Sequence, residues 1–212
     1  MIKAVIFDAD GVLIPHTRKF SVLLSEDFGI PLEKTAEFFS GPFQDCLAGK
    51  ADLRETVPRY LASWGWEKGV DVFLDIWFQA QHGTDAELIE YIQELRRKGI
   101  LCLLATNNEK YRFQYILDKT GFANSFDKTY ASAHLGHKKP NEEFFGKILQ
   151  DLKNIKKEEV LFWDDDAKNI KGAKDFGVNA EFYVSFEDFK QKMKEYEVSN
   201  GLLIEIHKIK PV

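Results

Sequence analysis

Short apolar runs alternate with amphipathic helical stretches over the second half of the chain, from about residue 84 onward. Apolar residues spaced three and four apart predict helices, whereas continuous runs such as Ile100 to Ala105 predict buried strands. A capping box at Thr84–Glu87 is expected to start the first of these helices, and Gly99 to end it. This alternation predicts an α/β fold, a Rossmann-like doubly wound parallel sheet with right-handed crossovers.

The same pattern gives the expected bounds of the strands and of the helices between them. Helices are predicted at about residues 109–120, after Pro140, and at 167–176, where Gly177 ends the last one. Strands are predicted at five places, namely Val5 to Phe7, Ile100 to Ala105, near Lys128 to Ala131, Val160 to Trp163 and Ala180 to Val184.

Residues 15–83 break this alternation, because they follow the first strand and show only helical patterning. Glycines and prolines mark the turns between the helical stretches. The segment therefore predicts a small helical insert in which Trp64, Trp66 and Trp77 build a core. One mixed α/β domain with an irregular front end is the alternative, but it needs a long excursion without strands.

Composition narrows the class of protein. The chain has 212 residues, of which 44% are hydrophobic, so it can bury a sizeable core. A formal net charge of -5 argues against a general nucleic-acid or anionic-membrane surface. Cys46 and Cys102 share no metal-ligand spacing, and Cys102 is expected to be a reduced core residue. Without a signal-peptide pattern or a membrane-length apolar run, we expect a soluble, cytoplasmic protein.

Polar side chains follow four of the predicted strands. The carboxyl ends of parallel strands meet at one edge of a sheet, so residues distant in sequence can converge there. Carboxylates, a lysine and a hydroxyl group together suit Mg²⁺ and a phosphoryl group. The residues at these strand ends are Asp8 and Asp10, Thr106 and Asn107, Lys138 or Lys139, and Asp164 and Asp165.

Four motifs in this order resemble those of the haloacid dehalogenase-like (HAD) hydrolase superfamily over nearly the whole chain. The first is Asp8-Ala9-Asp10-Gly11, the second a strand ending at Thr106, the third Lys139-Pro140, and the fourth Asp164-Asp165. Each motif alone is weak, whereas all four in order are specific. The resemblance implies a mobile helical cap of the C1 type at residues 15–83 and a hydrolase core at residues 1–14 and 84–212.

The resemblance also implies catalysis through an aspartyl-phosphate. Asp8 would be the nucleophile, and Asp10 the general acid and base. Mg²⁺ would be bound by Asp8, by the backbone carbonyl of Asp10 and by Asp165, with Asp164 a further ligand or a support. Asp166 is expected to cap the following helix, and Asn169 to orient ligands rather than bind the ion.

Phosphate contacts are implied as well. Thr106 and Asn107 would bind the phosphoryl oxygens, although either could be a plain turn residue. Lys139 would neutralise charge and is preferred because it precedes Pro140, while Lys138 remains the alternative. Three residues of the insert are candidate substrate contacts that fit a solvated surface equally well, namely Lys50, Arg54 and His16.

The second aspartate separates the chemistries of the superfamily. Dehalogenase-like members lack it, and phosphonate-cleaving members usually carry a small residue there, so Asp10 favours phosphate esters. The sequence thus predicts a Mg²⁺-dependent phosphatase acting on a small phosphorylated metabolite, without nucleic-acid or membrane partners. The alternatives are a phosphosugar mutase and a binding or regulatory protein that retains the fold without turnover.

Overall fold

The central sheet is parallel throughout. A computed structural model describes residues 1–15 and 18–199. Its strands are β1 (Ala4–Phe7), β2 (Leu101–Thr106), β3 (Lys128–Ala131), β4 (Val160–Asp164) and β5 (Asn179–Phe182). They lie in the order β3-β2-β1-β4-β5, and every pair is parallel. The predicted α/β class is confirmed, and the central place of β1 puts Asp8 in the middle of the carboxyl edge.

Helices cover both faces of the sheet because side chains along each strand alternate between them. Val5 and Phe7 of β1 join an apolar cluster on one face, and Ala4 and Ile6 join a cluster on the other. On the first face lie α7 (Ala86–Arg97), α8 (Lys110–Thr120), α9 (Phe122–Ser125) and α13 (Phe186–Ser199). On the second lie α11 (Glu142–Asp151) and α12 (Ala167–Phe176), while the short α10 (Ser132–Leu135) follows β3.

Between β1 and α7, the described residues form six helices and no strand. We call residues 20–80 the helical insert. Its apolar cluster is separate from those of the sheet, and ring pairs such as Phe20 on Trp77 fill it. The helices are α1 (Phe20–Phe28), α2 (Leu32–Ser40), α3 (Pro42–Leu47), α4 (Leu53–Thr56), α5 (Pro58–Ser63) and α6 (Gly69–Ala80).

The helical insert packs closely against α10, which follows β3 at the carboxyl edge of the sheet. A Cβ at Gly49 would lie 2.0 Å from the carbonyl oxygen of Ala133, so only glycine permits this approach. The Ser132 hydroxyl donates a hydrogen bond of 2.6 Å to the carbonyl of Leu47. These contacts place α3 directly over the edge of the sheet where the polar residues gather.

Some predicted boundaries were wrong. The first helix after the insert is capped by Asp85, which accepts from the backbone N–H of Leu88 at 3.0 Å, and not by Thr84. Strand β5 lies earlier than the predicted 180–184, because its pairing with β4 begins at Asn179, opposite Leu161, and ends at Phe182, opposite Asp164. The tail after Gly201 and the candidate contact His16 lie outside the described residues.

Across residues 1–15 and 18–199, no helix combines the length and apolarity needed to cross a bilayer.

Both cysteine thiols are buried and free, which gives a test of the packing. Burial raises the pKa of Cys102 to about 12 and also raises the pKa of Cys46. Because the thiolate is the reactive species, iodoacetamide at pH 8 should label neither thiol in the native protein, and both in urea. We expect native labelling to be slower by roughly a hundredfold or more, measured by intact mass. Fast native labelling of Cys46 would mean that α3 opens readily.

Candidate active site

One buried ammonium lies between two buried carboxylates at the carboxyl edge of the sheet. The Nζ of Lys139 is 2.7 Å from Asp8 Oδ1 and 2.7 Å from Asp164 Oδ2. Asp8 leaves β1, Asp164 ends β4, and Lys139 lies in the loop before α11. The backbone N–H of Ala9 also donates to Asp8 Oδ1, at 2.7 Å. Both contacts therefore fall on Oδ1, and Oδ2 is the oxygen left for a ligand.

Burial and mutual charge together shift the pKa values of Asp8 and Lys139. Burial raises the pKa of Asp8 well above its ordinary value, and the charge of Asp164 adds to this while Lys139 opposes it. Burial also disfavours the charged form of Lys139, but the carboxylates of Asp8 and Asp164 outweigh it and raise the pKa of the ammonium. Lys139 thus stays protonated at neutral pH. A further cation near Asp8 would favour the ionised carboxylate.

The loop that carries Lys139 is fixed by its neighbours. The side-chain amide of Asn107 accepts from the backbone N–H of Lys139 at 2.9 Å and donates to its carbonyl at 3.0 Å. On the other side, a Cβ at Gly172 of α12 would lie 2.4 Å from the carbonyl oxygen of Pro140. The Lys139–Pro140 peptide bond is cis. Asn107 therefore positions the lysine through its backbone.

Three carboxylates converge beside the lysine. Asp8, Asp164 and Asp165 each offer an oxygen, and these oxygens lie within 4.8 Å of one another. Asn169 donates to both oxygens of Asp164, at 3.0 and 3.1 Å, and so orients it. Gly11 has a φ of +89°, and a Cβ there would lie 2.3 Å from Asp165 Oδ2. The hard oxygen ligands of this cluster suit Mg²⁺.

Asp10 is held separately from Asp8, by a buried arginine. Arg112 of α8 donates to Asp10 Oδ1 at 2.9 Å and also to the carbonyls of Phe78 and Gln81 at the end of α6. Asn108 donates one hydrogen bond of 2.9 Å to Asp10 Oδ2 and another of 2.8 Å to Thr106 Oγ1. The guanidinium therefore links the carboxylate of Asp10 to the helical insert.

A cavity of about 270 Å³ opens beside Asp10, between the sheet edge and the helical insert. Its volume is close to the lower end of the roughly 300–1,000 Å³ typical of small-molecule pockets. It is lined from the sheet side by Asp10, Asn107, Asn108, Glu109 and Arg112, and from the opposite side by Gln81, which follows α6, and by six residues of the insert, namely Phe20, Ser21, Phe39, Phe43, Leu47 and Trp77.

Of the remaining predicted residues, Lys139 lies in the site, whereas Lys138, Lys50 and Arg54 lie outside it. Lys138 points to Gln44 of α3, at 2.7 Å, whereas Lys139 lies in the site. Lys50 lines a second cavity, of about 240 Å³, and not the cavity beside Asp10. Arg54 pairs with Asp71 on the surface. As expected, Asp166 caps α12 by accepting from the backbone N–H of Lys168 at 2.8 Å.

Sequence reasoning missed Arg112 and Asn108. Arg112 stands one position before Phe113 in an amphipathic helix, where a charged residue usually faces solvent, yet it is only 4% exposed. Asn108 follows two residues that already ended the strand, so it resembled part of a turn. In both cases the partner is Asp10, about a hundred residues away, and no local pattern signals such a pairing.

Comparison with known proteins identifies the family. A family model described as haloacid dehalogenase-like hydrolase matches residues 2–177. The chain belongs to the HAD-like hydrolases. Among curated HAD-like relatives, it is 26% identical over 203 residues to D-ribitol-5-phosphate phosphatase of Bacteroides thetaiotaomicron, covering 91% of this chain and 97% of that protein.

Solved HAD structures share the fold. A HAD-like family hydrolase from Porphyromonas gingivalis superposes with a TM-score of 0.76 and 26% identity, over 92% of this chain and 98% of that one. A HAD family enzyme from B. thetaiotaomicron, solved in complex with magnesium and inorganic phosphate, has a TM-score of 0.77 and 22% identity, over 91% and 99% of the two chains.

The contact between Gly11 and Asp165 can be tested with a matched pair of variants. Gly11→Ala and Gly29→Ala both place alanine at a positive φ, at a cost of about 1–2 kcal/mol. Nothing lies within 4 Å of a Cβ at Gly29, whereas a Cβ at Gly11 displaces Asp165. Isothermal titration with Mg²⁺ should therefore show weakened binding, by at least about tenfold, in Gly11→Ala alone. Equal Mg²⁺ affinity in the two variants would remove Asp165 from the metal site.

Proposed function

We propose that this protein is a Mg²⁺-dependent phosphatase that hydrolyses a small phosphorylated metabolite through an aspartyl-phosphate intermediate. The observation that carries the proposal is that Asp8 and Asp10 are held by different cations. The buried ammonium of Lys139 contacts one oxygen of Asp8, whereas Asp10 is paired with Arg112 and lines the cavity. The similarity to a D-ribitol-5-phosphate phosphatase supports hydrolysis of a phosphate ester.

In the first step, Asp8 Oδ2 attacks the phosphorus atom and the bond from phosphorus to the ester oxygen breaks. Lys139, fixed on Oδ1, neutralises part of the charge on the carboxylate and on the phosphoryl group. The hydroxyl of Thr106 and the main chain at Asn107 bind the phosphoryl oxygens in this proposal. The side-chain amide of Asn107 has a different task, because it holds the backbone of Lys139.

Asp10 carries the proton in both steps. It first gives a proton to the ester oxygen as the alcohol leaves, and then takes one from the water that attacks phosphorus. That attack breaks the bond between Asp8 Oδ2 and phosphorus and releases inorganic phosphate. Arg112 and Asn108 fix the carboxylate of Asp10 at the mouth of the cavity, where the ester oxygen would lie.

The residues present fit a magnesium ion. Asp8, Asp165 and the backbone carbonyl of Asp10 are proposed as its protein ligands. We assign Asp164 a supporting part, because its oxygens already accept from Lys139, from Asn169 and from the backbone N–H of Asp166. When bound, the ion supplies positive charge that holds and polarises the phosphoryl group. Solved HAD relatives of the same fold contain magnesium.

We further propose that residues 15–83 act as a cap on a core formed by residues 1–14 and 84–212. The helical insert forms one wall of the cavity beside Asp10, and Arg112 of the core donates hydrogen bonds to two carbonyls at the end of α6. Closure of this cap would exclude water from the first step while Asp10 is positioned.

Hydrolysis is favoured over the phosphosugar mutase alternative. A mutase substrate carries a second phosphate during turnover, which calls for a cation in the cap. Among the described residues that line the cavity, Arg112 is the cationic one, and it is already paired with Asp10. A binding protein without turnover is disfavoured because the carboxylates, the lysine and the hydroxyl of the proposed mechanism are all present.

The nucleophile and the metal can be tested together on p-nitrophenyl phosphate. Asp8→Asn should lower kcat by at least roughly a thousandfold, because removing a nucleophile disables the whole catalytic unit. EDTA should abolish the wild-type activity, and added Mg²⁺ should restore it. Asp166→Asn is the matched control, since asparagine caps a helix as well as aspartate and its activity should persist. Metal-independent turnover, or an unchanged rate in Asp8→Asn, would refute the phosphatase assignment.

The role of Asp10 predicts different behaviour in the two steps. p-Nitrophenolate leaves without a proton, so Asp10→Asn should release close to one equivalent in a rapid burst and then turn over roughly a hundredfold more slowly or worse. Alkyl phosphates should give no burst, because their alcohols need protonation. Intact mass should show a phosphorylated chain after the burst. A full steady-state rate in this variant would show that Asp10 is not the base.

A further inference from the structure

The walls of the cavity beside Asp10 indicate what the substrate carries beyond its phosphate. We infer that the enzyme selects phosphomonoesters of apolar, uncharged alcohols rather than of polyols or sugars. This inference rests on the proposed phosphatase function, since the ester oxygen is taken to lie at Asp10. It names the chemical class of the leaving alcohol, which the family assignment leaves open.

The insert side of the cavity is an apolar surface. Phe39, Phe43 and Trp77 contact one another, with ring centroids 5.1 to 5.7 Å apart, and Trp77 stacks on Phe20 at 5.0 Å. Leu47, at the end of α3, completes this surface. The indole N–H of Trp77 is already used, because it donates to Gln81 Oε1 at 2.8 Å. A leaving alcohol in the cavity would therefore meet aromatic faces and edges.

The polar wall residues from the sheet already have partners within the protein. The side-chain amide of Asn108 donates one hydrogen bond to Asp10 and the other to Thr106. Glu109 accepts from the backbone N–H groups of Tyr111 and Arg112 and so caps α8. Asn107 is bound to the backbone of Lys139.

Charge leads to the same conclusion. The guanidinium of Arg112 is only 4% exposed, and its positive charge is already paired with Asp10, so it offers little to an anionic group of the substrate. The neighbouring carboxylate of Glu109 would repel a second anion. Opposite the sheet, the side-chain groups left to contact a substrate hydroxyl are the hydroxyl of Ser21 and the amide nitrogen of Gln81, which follows α6. A chain bearing a hydroxyl on every carbon would lose most of its hydrogen bonds to water on entering.

The test compares two esters with the same carbon chain, n-pentyl phosphate and D-ribitol 5-phosphate. They differ in hydroxyl groups and not in length, so the ratio of their kcat/KM values reports the polarity of the wall. With wild-type enzyme and saturating Mg²⁺, we expect the pentyl ester to be favoured by roughly tenfold or more. Benzyl phosphate should react at least as well as the pentyl ester, because it also meets the aromatic surface.

A pair of variants locates the effect. Leu47→Gln brings an amide into the wall, and it should lower the preference for the pentyl ester several-fold, mainly through the KM of that ester. Leu47 is not among the buried residues of the insert's apolar cluster, so the fold should tolerate this change. Val72→Gln is the control, since Val72 is 40% exposed on α6 and lies outside the cavity wall. An unchanged preference in Leu47→Gln would place the selective surface elsewhere and refute the inference.

The outcomes separate this inference from the proposed function. Mg²⁺-dependent hydrolysis with the ribitol ester equal or preferred would refute the apolar wall and leave the phosphatase intact. If neither ester nor p-nitrophenyl phosphate is hydrolysed, the phosphatase proposal fails, and calorimetric binding of the two esters to the Mg²⁺-loaded protein decides the inference. Tighter binding of the pentyl ester, lost in Leu47→Gln, would support it, and tighter binding of the ribitol ester would overturn it.

Discussion

The site depends on one buried ammonium, that of Lys139, placed between the carboxylates of Asp8 and Asp164. None of these groups would remain charged alone at such depth, because desolvation disfavours each ion. With Asp165 beside them, three carboxylates face one ammonium, and once all three are ionised the imbalance of two negative charges equals the charge of one divalent ion. The charge of this cluster thus suits a divalent metal ion.

A second buried cation organises the other half of the site. Arg112 contacts Asp10 and the end of α6, so the carboxylate of Asp10 and the entry to the helical insert share one partner. Lys139 acts as a compact charge on a fixed loop, whereas the planar guanidinium serves three acceptors in different directions. Two neighbouring aspartates from one strand end are therefore held by different cations, which suits them to different tasks.

The sequence predicted what local patterns encode and missed what depends on distant pairing. Asp8, Asp10 and Asp164 could be located because each lies at the end of an apolar strand, and the parallel sheet follows from the alternation of strands with helices. Arg112 could not, since a charged position on an amphipathic helix has the same pattern whether it faces solvent or a carboxylate. Trp77 was expected to be structural, and it is buried in the insert cluster, yet it also forms part of the cavity wall. The spacing of apolar residues alone cannot show that one side chain both packs in the core of the insert and lines the cavity.

The double position of Trp77 and Phe20 bears on how such an enzyme can diverge. Each of these rings belongs to the apolar cluster that holds the helical insert together and also faces the cavity. Replacing either ring to admit a different alcohol would also remove packing that stabilises the insert. Substitutions that change the substrate range are therefore better tolerated at cavity-wall positions outside that cluster, such as Leu47 and Ser21. The fold constrains which mutational routes to new specificity remain open.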